Sequence, residues 1–178
     1  MLYANCNVPV ACYVGNFRGD SAYPELVDYE VGVGPLLTDG LPECVGVWAS
    51  DVASELGLFF RNLQAALGTL DQVVTSGTIP GTADVLGEVV GLSAAVHGEW
   101  IRIHPFVNGN GRTARFLVAG ISLRYGLPIY LTLKPRPFDV AYARASKRSM
   151  DRPPHFIGSH DEARSVFAHL LSLSLLSP

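Results

Sequence analysis

Two apolar helices separated only by a short turn containing two glycines leave this chain few ways to fold. The first spans about 84–103. Leu86, Val89, Ser93, Val96, Trp100 and Ile103 form one face, while Val85, Leu92 and Ala95 make much of the opposite side apolar. A helix apolar nearly all round needs neighbours on every side, which predicts the centre of a helical bundle. Pro105 stops it, because the residue before a proline is pushed out of helical geometry. The second helix runs from Arg112 to Tyr125, where Gly126 and Pro128 end it.

The remaining segments supply partners for that centre. Val52, Leu56, Phe59, Leu63, Ala66, Leu70 and Val73 recur at steps of four and three, a single apolar stripe with Ser50 and Asp51 available as caps. Thr75–Gly81, with two glycines and Pro80, breaks that helix. Ile129–Leu133 is a short β-like or extended run, Asp139 caps a helix over 140–149, and His160 or Asp161 caps a last one over 160–176. The first fifty residues are different. β-like pieces at Val8–Val14 and Tyr29–Val33 alternate with turn residues, which predicts a hairpin plus loops. The expectation is one mainly α domain over 1–178: a hairpin region at 12–34, a helical core at 51–150, and a C-terminal helix. Trp48 and Trp100 read as core.

Composition narrows the function. Hydrophobic residues make up 48% and charged residues 16%, with a formal net charge of −3, so nothing suggests the basic face that grips nucleic acid. Cys6, Cys12 and Cys44 form no CxxC pair and read as reduced structural thiols. The absence of a basic, then apolar, N-terminal stretch and of a run near the ~20 apolar residues of a membrane span predicts a soluble, cytoplasmic protein without a membrane partner. His97 reads as a satisfied core histidine. His155, His160 and His169 show no metal spacing. Lys134, Arg136, Arg144, Lys147 and Arg148 read mostly as a solvated basic face.

The chemistry concentrates in His104-Pro105-Phe106-Val107-Asn108-Gly109-Asn110-Gly111-Arg112-Thr113-Ala114-Arg115. Gly-Asn-Gly lets the backbone take left-handed angles, so successive N–H groups can point into one concavity. That concavity lies at a helix N-terminus, where unpaired N–H groups and the dipole favour an anion. Arg112 and Arg115, three apart, add two guanidinium forks suited to phosphate. A histidine at the rim can take a proton from an attacking hydroxyl. The dipole at the end of its own helix favours imidazolium, whereas full positive charges on Arg112 and Arg115 oppose it. The arginines are expected to prevail and keep His104 neutral.

This segment resembles the signature of the Fic (Fido) family, HPFx(D/E)GNGRxxR, at every specified position but one. It is not a Walker A loop. The resemblance implies a Fic-type helical core and transfer of AMP from ATP to a Ser, Thr or Tyr hydroxyl of a target protein. It assigns His104 as general base, Gly109, Asn110 and Gly111 as the anion hole, Arg112 and Arg115 as phosphate ligands, and Phe106 as the anchor of the loop. Asn108 stands where the family usually has Asp or Glu holding Mg²⁺. Its neutral carbonyl oxygen can ligate the metal without adding charge. That departure keeps two alternatives open: a Fic-fold transferase using another nucleotide or moving phosphate, and a nucleotide-binding pseudoenzyme.

The family also implies a β-hairpin flap that docks the target by strand addition. Tyr13–Gly19 followed by Tyr29–Gly34 resembles it, with Gly15, Asn16, Phe17, Val31, Gly32 and Val33 as docking residues. Tyr142 is placed by position at the nucleobase pocket. No inhibitory [S/T]xxxE[G/N] motif is present, since Ser21–Glu25 ends in Leu26. A separate antitoxin-like inhibitor, or none, is therefore expected.

Overall fold

The computed structural model describes residues 10–33, 44–137, 139–150 and 160–176. The helices are α1 (Pro24–Val27), α2 (Val52–Leu70), α3 (Ala83–Ile103), α4 (Asn110–Arg124), α5 (Val140–Arg148) and α6 (Asp161–Leu176). The protein is mainly helical, as the patterning predicts. α3 packs against α2, α4, α5 and α6. Its buried residues run from Val89 and Val90 to Ile103 and occupy every side of the helix, which is the packing counterpart of its all-round apolar sequence.

Helix boundaries follow local chemistry. Thr82 accepts a hydrogen bond from the Val85 N–H at the start of α3, and Asp139 accepts one from the Ala141 N–H at the start of α5. Gly126, at φ 62°, ends α4 as expected. At α2 the expected cap fails. A 3-10 turn at Ala49–Asp51 runs straight into the helix, so Asp51 already has helical angles and its side chain makes no cap bond.

Two other expectations, the burial of Trp48 and the place of the hairpin, are corrected. Trp48 is 51% exposed, whereas Trp100 is buried. The chain is extended there, Val47 and Ala49 take the inward positions on either side of Trp48, and alternation turns the indole outward. Ile129–Leu133 stays outside any ladder among the described residues.

The hairpin is also not where the sequence places it. Ala11–Tyr13 is a 3-10 turn, and Gly15, Asn16 and Phe17 lie in turn and loop. Pro24 starts α1 between the two expected strands. The observed ladder has two rungs, with β1 (Gly32–Val33) antiparallel to β2 (Cys44–Val45), pairing Gly32 with Val45 and Val33 with Cys44. Val31 precedes it, and Gly34 lies outside the described residues. Residues 13–19 are held elsewhere, by Arg18.

Candidate active site

The loop between α3 and α4 is fixed from both ends. α3 closes on His104, which takes left-handed angles (φ 49°, ψ 55°) and is the one non-glycine residue with positive φ among those described. Such angles are uncommon for a residue with a side chain and turn the chain sharply. Gly109, at φ 91°, turns it again into α4.

Between these turns the loop is stapled by Asn110. Its Oδ1 accepts from the Phe106 N–H at 3.1 Å and its Nδ2 donates to the Phe106 carbonyl at 2.7 Å. Asn110 is buried, so its side chain holds the loop and only its backbone N–H remains for a ligand. The Phe106 ring packs against Phe17 and Trp100, with centroids 5.1 and 6.1 Å away. That is the anchoring role the sequence assigns it.

His104 lines a pocket of about 240 Å³ together with Ile101, Gly111, Arg115, Arg136 and Tyr142. Ser146 and Lys147 of α5 line it too. His104 Nδ1 lies 3.2 Å from the Ile101 carbonyl. A carbonyl only accepts, so Nδ1 carries the proton and Nε2 keeps its lone pair. Burial pushes the imidazole below its ordinary range, and the positive charge of Arg18 adds to this against the bond to Ile101. A ring favoured in its neutral form is as expected, but the cause differs: burial and Arg18 rather than Arg112 and Arg115.

Arg115 is buried. Its Nη2 donates to the Leu133 carbonyl at 3.1 Å and its Nη1 to the Tyr142 hydroxyl at 3.4 Å. Tyr142 Oη in turn lies 2.9 Å from His97 Nε2. Burial, then the charges of Arg115 and His160, lower His97 to about 3. A neutral histidine thus sits behind the tyrosine that orients the arginine. The sequence places His97 in the core and Tyr142 at the pocket; their connection to Arg115 is new. The extended run at 129–133 supplies the carbonyl that holds Arg115.

Other expected members fall outside the pocket. Gly111 and Arg115, four apart, share a helix face and line the pocket, whereas Arg112 is half-buried and not in the lining. The N–H of Gly109 is engaged by Asn108 Oδ1 at 2.6 Å. The remaining cradle is therefore the first turn of α4, where the N–H groups of Asn110 and Gly111 have no partner within the helix. Among the basic residues, Arg136 and Lys147 face the pocket, while Arg144 and Arg148 both pair with Glu162.

Asn108 is exposed, and its side-chain oxygen accepts a hydrogen bond from the Gly109 N–H. Among the described residues no carboxylate lines the pocket and no group of three His, Cys, Asp or Glu is placed to hold a metal ion. These residues do not fit a protein-held Mg²⁺.

Arg18 is the functional neighbour that sequence reasoning missed. It is buried at 1% exposure and meets the end of α3 with its guanidinium. A single arginine in a Gly- and Tyr-rich stretch carries no sequence signal for this, since its partners are backbone carbonyls eighty-odd residues away.

The fold and loop define a class: a helical domain that sets the start of one helix beside a histidine at the end of another. Residues 60–121, from the middle of α2 through α3 and the loop into α4, match the sequence model of the Fic/DOC family. No curated protein and no solved structure matches the chain. No helix among the described residues is long and apolar enough to cross a membrane.

Proposed function

We propose that this protein is a transferase that moves AMP from ATP to a hydroxyl side chain of a target protein. The observation that carries the reading is that His104 lines one pocket with Gly111 and Arg115, its Nε2 lone pair free and its ring held neutral. The first turn of α4 and the Arg115 fork receive the phosphates. The target hydroxyl attacks the α-phosphorus and gives its proton to His104 Nε2. The bond from that phosphorus to the β-bridging oxygen breaks, pyrophosphate leaves, and AMP stays on the target oxygen as an ester. Lys147 and Arg136 add positive charge where charge develops on the phosphates.

Incubation with ATP labelled at either the α- or the γ-phosphate, alone and with a cell lysate, tests this. Protein-bound label from α only, lost in His104→Ala, is the expected result. Label from γ only contradicts it and gives phosphoryl transfer.

One observation favours a second reading. Asn108 is neutral and engaged with Gly109, and the described lining holds no carboxylate. A Fic-fold transferase with a different donor, UTP or GTP, follows if unlabelled UTP or GTP displaces ATP from the site more effectively than ATP itself does.

A further inference from the structure

The end of α3 leaves backbone carbonyls without intrahelical partners, as every helix end does. Here they are satisfied almost entirely from residues 18–47. Arg18 Nη2 donates to the Ile103 carbonyl at 2.7 Å and Arg18 Nε to the His104 carbonyl at 2.7 Å. The Arg18 N–H donates to the Pro105 carbonyl at 2.9 Å, and the Val47 N–H to the Arg102 carbonyl at 3.0 Å.

The same guanidinium reaches the other way. Nη2 also donates to the Val47 carbonyl and Nη1 to the Tyr29 carbonyl at 3.4 Å, with Glu30 Oε2 4.0 Å from Nη1. Tyr29 and Val47 flank the β1–β2 ladder on its two sides. One buried residue thus ties both feet of the ladder to the carbonyls of Ile103 and His104 through its side chain and to that of Pro105 through its backbone N–H. No ammonium, with its single nitrogen, reproduces that fork.

We propose that Arg18 is the positioning residue of His104: it holds the residue's left-handed backbone and couples the β1–β2 ladder to the reacting imidazole. The inference rests on the reading of His104 as the base. Left-handed angles on a residue with a Cβ persist only where the surroundings impose them, and Arg18 bonds the carbonyl of that same residue. With the ring bound to the Ile101 carbonyl, backbone and side chain are fixed from opposite sides. Arg18 also places a positive charge beside the ring. The other charged groups facing it across the pocket are Arg115 of α4, Lys147 of α5 and Arg136 of the preceding loop, all cationic.

The test compares full-length wild type with Arg18→Gln and Arg18→Lys, each shown to be folded by circular dichroism and melting. Three quantities are read: kcat for label transfer from α-labelled ATP, the Kd for ATP, and the pH midpoint of the His104 ring by NMR. Both variants are expected to lose kcat by roughly 10- to 100-fold, with the Kd within about twofold, as for an interaction that acts on the chemical step. The His104 midpoint rises in Arg18→Gln, which removes the charge, and stays near wild type in Arg18→Lys, which keeps it.

A folded variant with wild-type kcat overturns the proposal, whether or not the midpoint moves. Failure of both variants to fold also overturns it, because Arg18 is then a folding residue. If wild type transfers no label from either phosphate, the function proposed above fails. The His104 midpoint in Arg18→Gln then decides the matter for Arg18, and an unmoved midpoint overturns its assignment.

Discussion

The two helix ends that face each other across the signature loop are built in opposite ways. At the end of α3, the carbonyls of Arg102, Ile103, His104 and Pro105 each accept a bond from Arg18 or Val47. At the start of α4, Gly109 N–H is turned to Asn108, and the next two N–H groups are left for whatever enters the pocket. One end is saturated and rigid; the other is open and polar. The difference suits the two jobs that the proposed group transfer asks of the site. A base must be fixed in place before reaction, and a phosphate must find donors not already spent on the protein.

Predictions follow from breaking each end in turn. His104→Ala removes the base and leaves the open end intact, so label transfer falls by roughly 10²- to 10⁴-fold while the ATP affinity from equilibrium titration is unchanged. Arg115→Lys damages the open end. The lysine cannot span the Leu133 carbonyl, the Tyr142 hydroxyl and a phosphate at once. ATP binding, followed by displacement of a fluorescent analogue, weakens by roughly 10- to 100-fold, the equivalent of about 1.5–3 kcal/mol for a charge-assisted bond.

Asn110→Ala loosens the join between the two ends. It leaves the half-buried Phe106 N–H and carbonyl without their side-chain partner. Chemical denaturation should show a loss of about 1–3 kcal/mol, and kcat falls with it.

Acid provides the gentlest test. His97, lowered to about 3, and His104, also lowered, stay neutral in the folded protein at pH values where the unfolded chain binds protons at ordinary histidine affinity. The unfolded state therefore takes up more protons as pH falls. Stability is full above about pH 6.5, the ordinary histidine value. It declines from there toward the folded-state values, by at most about 1.4 kcal/mol per pH unit for each such group. A melting temperature that stays flat between pH 7 and pH 4 contradicts the burial of His97.

Legibility from sequence divides along the same line. The open end was readable, because Gly109, Gly111 and Arg115 announce themselves by residue type and spacing. So was the centre of the bundle, since the apolar run of α3 allows no other position. The saturated end was not. Its main agent, Arg18, bonds to carbonyls, which every residue has, so no side-chain pattern marks the partner. The hairpin was misplaced for a related reason. Alternation at Tyr13–Gly19 and Tyr29–Gly34 suits strands, but Pro24 and the pull of Arg18 toward Pro105 commit the first segment elsewhere. The connection of His97 through Tyr142 to Arg115 spans α3, α5 and α4; His97 is buried as expected, Tyr142 and Arg115 line one pocket, and only packing joins the three. Arg112 shows the converse. Its type and motif position suggest a phosphate ligand, and it is half-buried on α4 outside the pocket lining.

Titration of isotopically labelled protein with ATP, reading every backbone amide and imidazole by NMR, tests the account most directly. The account predicts that the Asn110, Gly111 and Arg115 signals move first and furthest, with the His104 ring remaining a neutral Nδ1–H tautomer. Shifts gathered elsewhere, in the apolar groove of α2 and α3 around Leu70 and Leu92 for example, with His104 and Gly111 unmoved, contradict it.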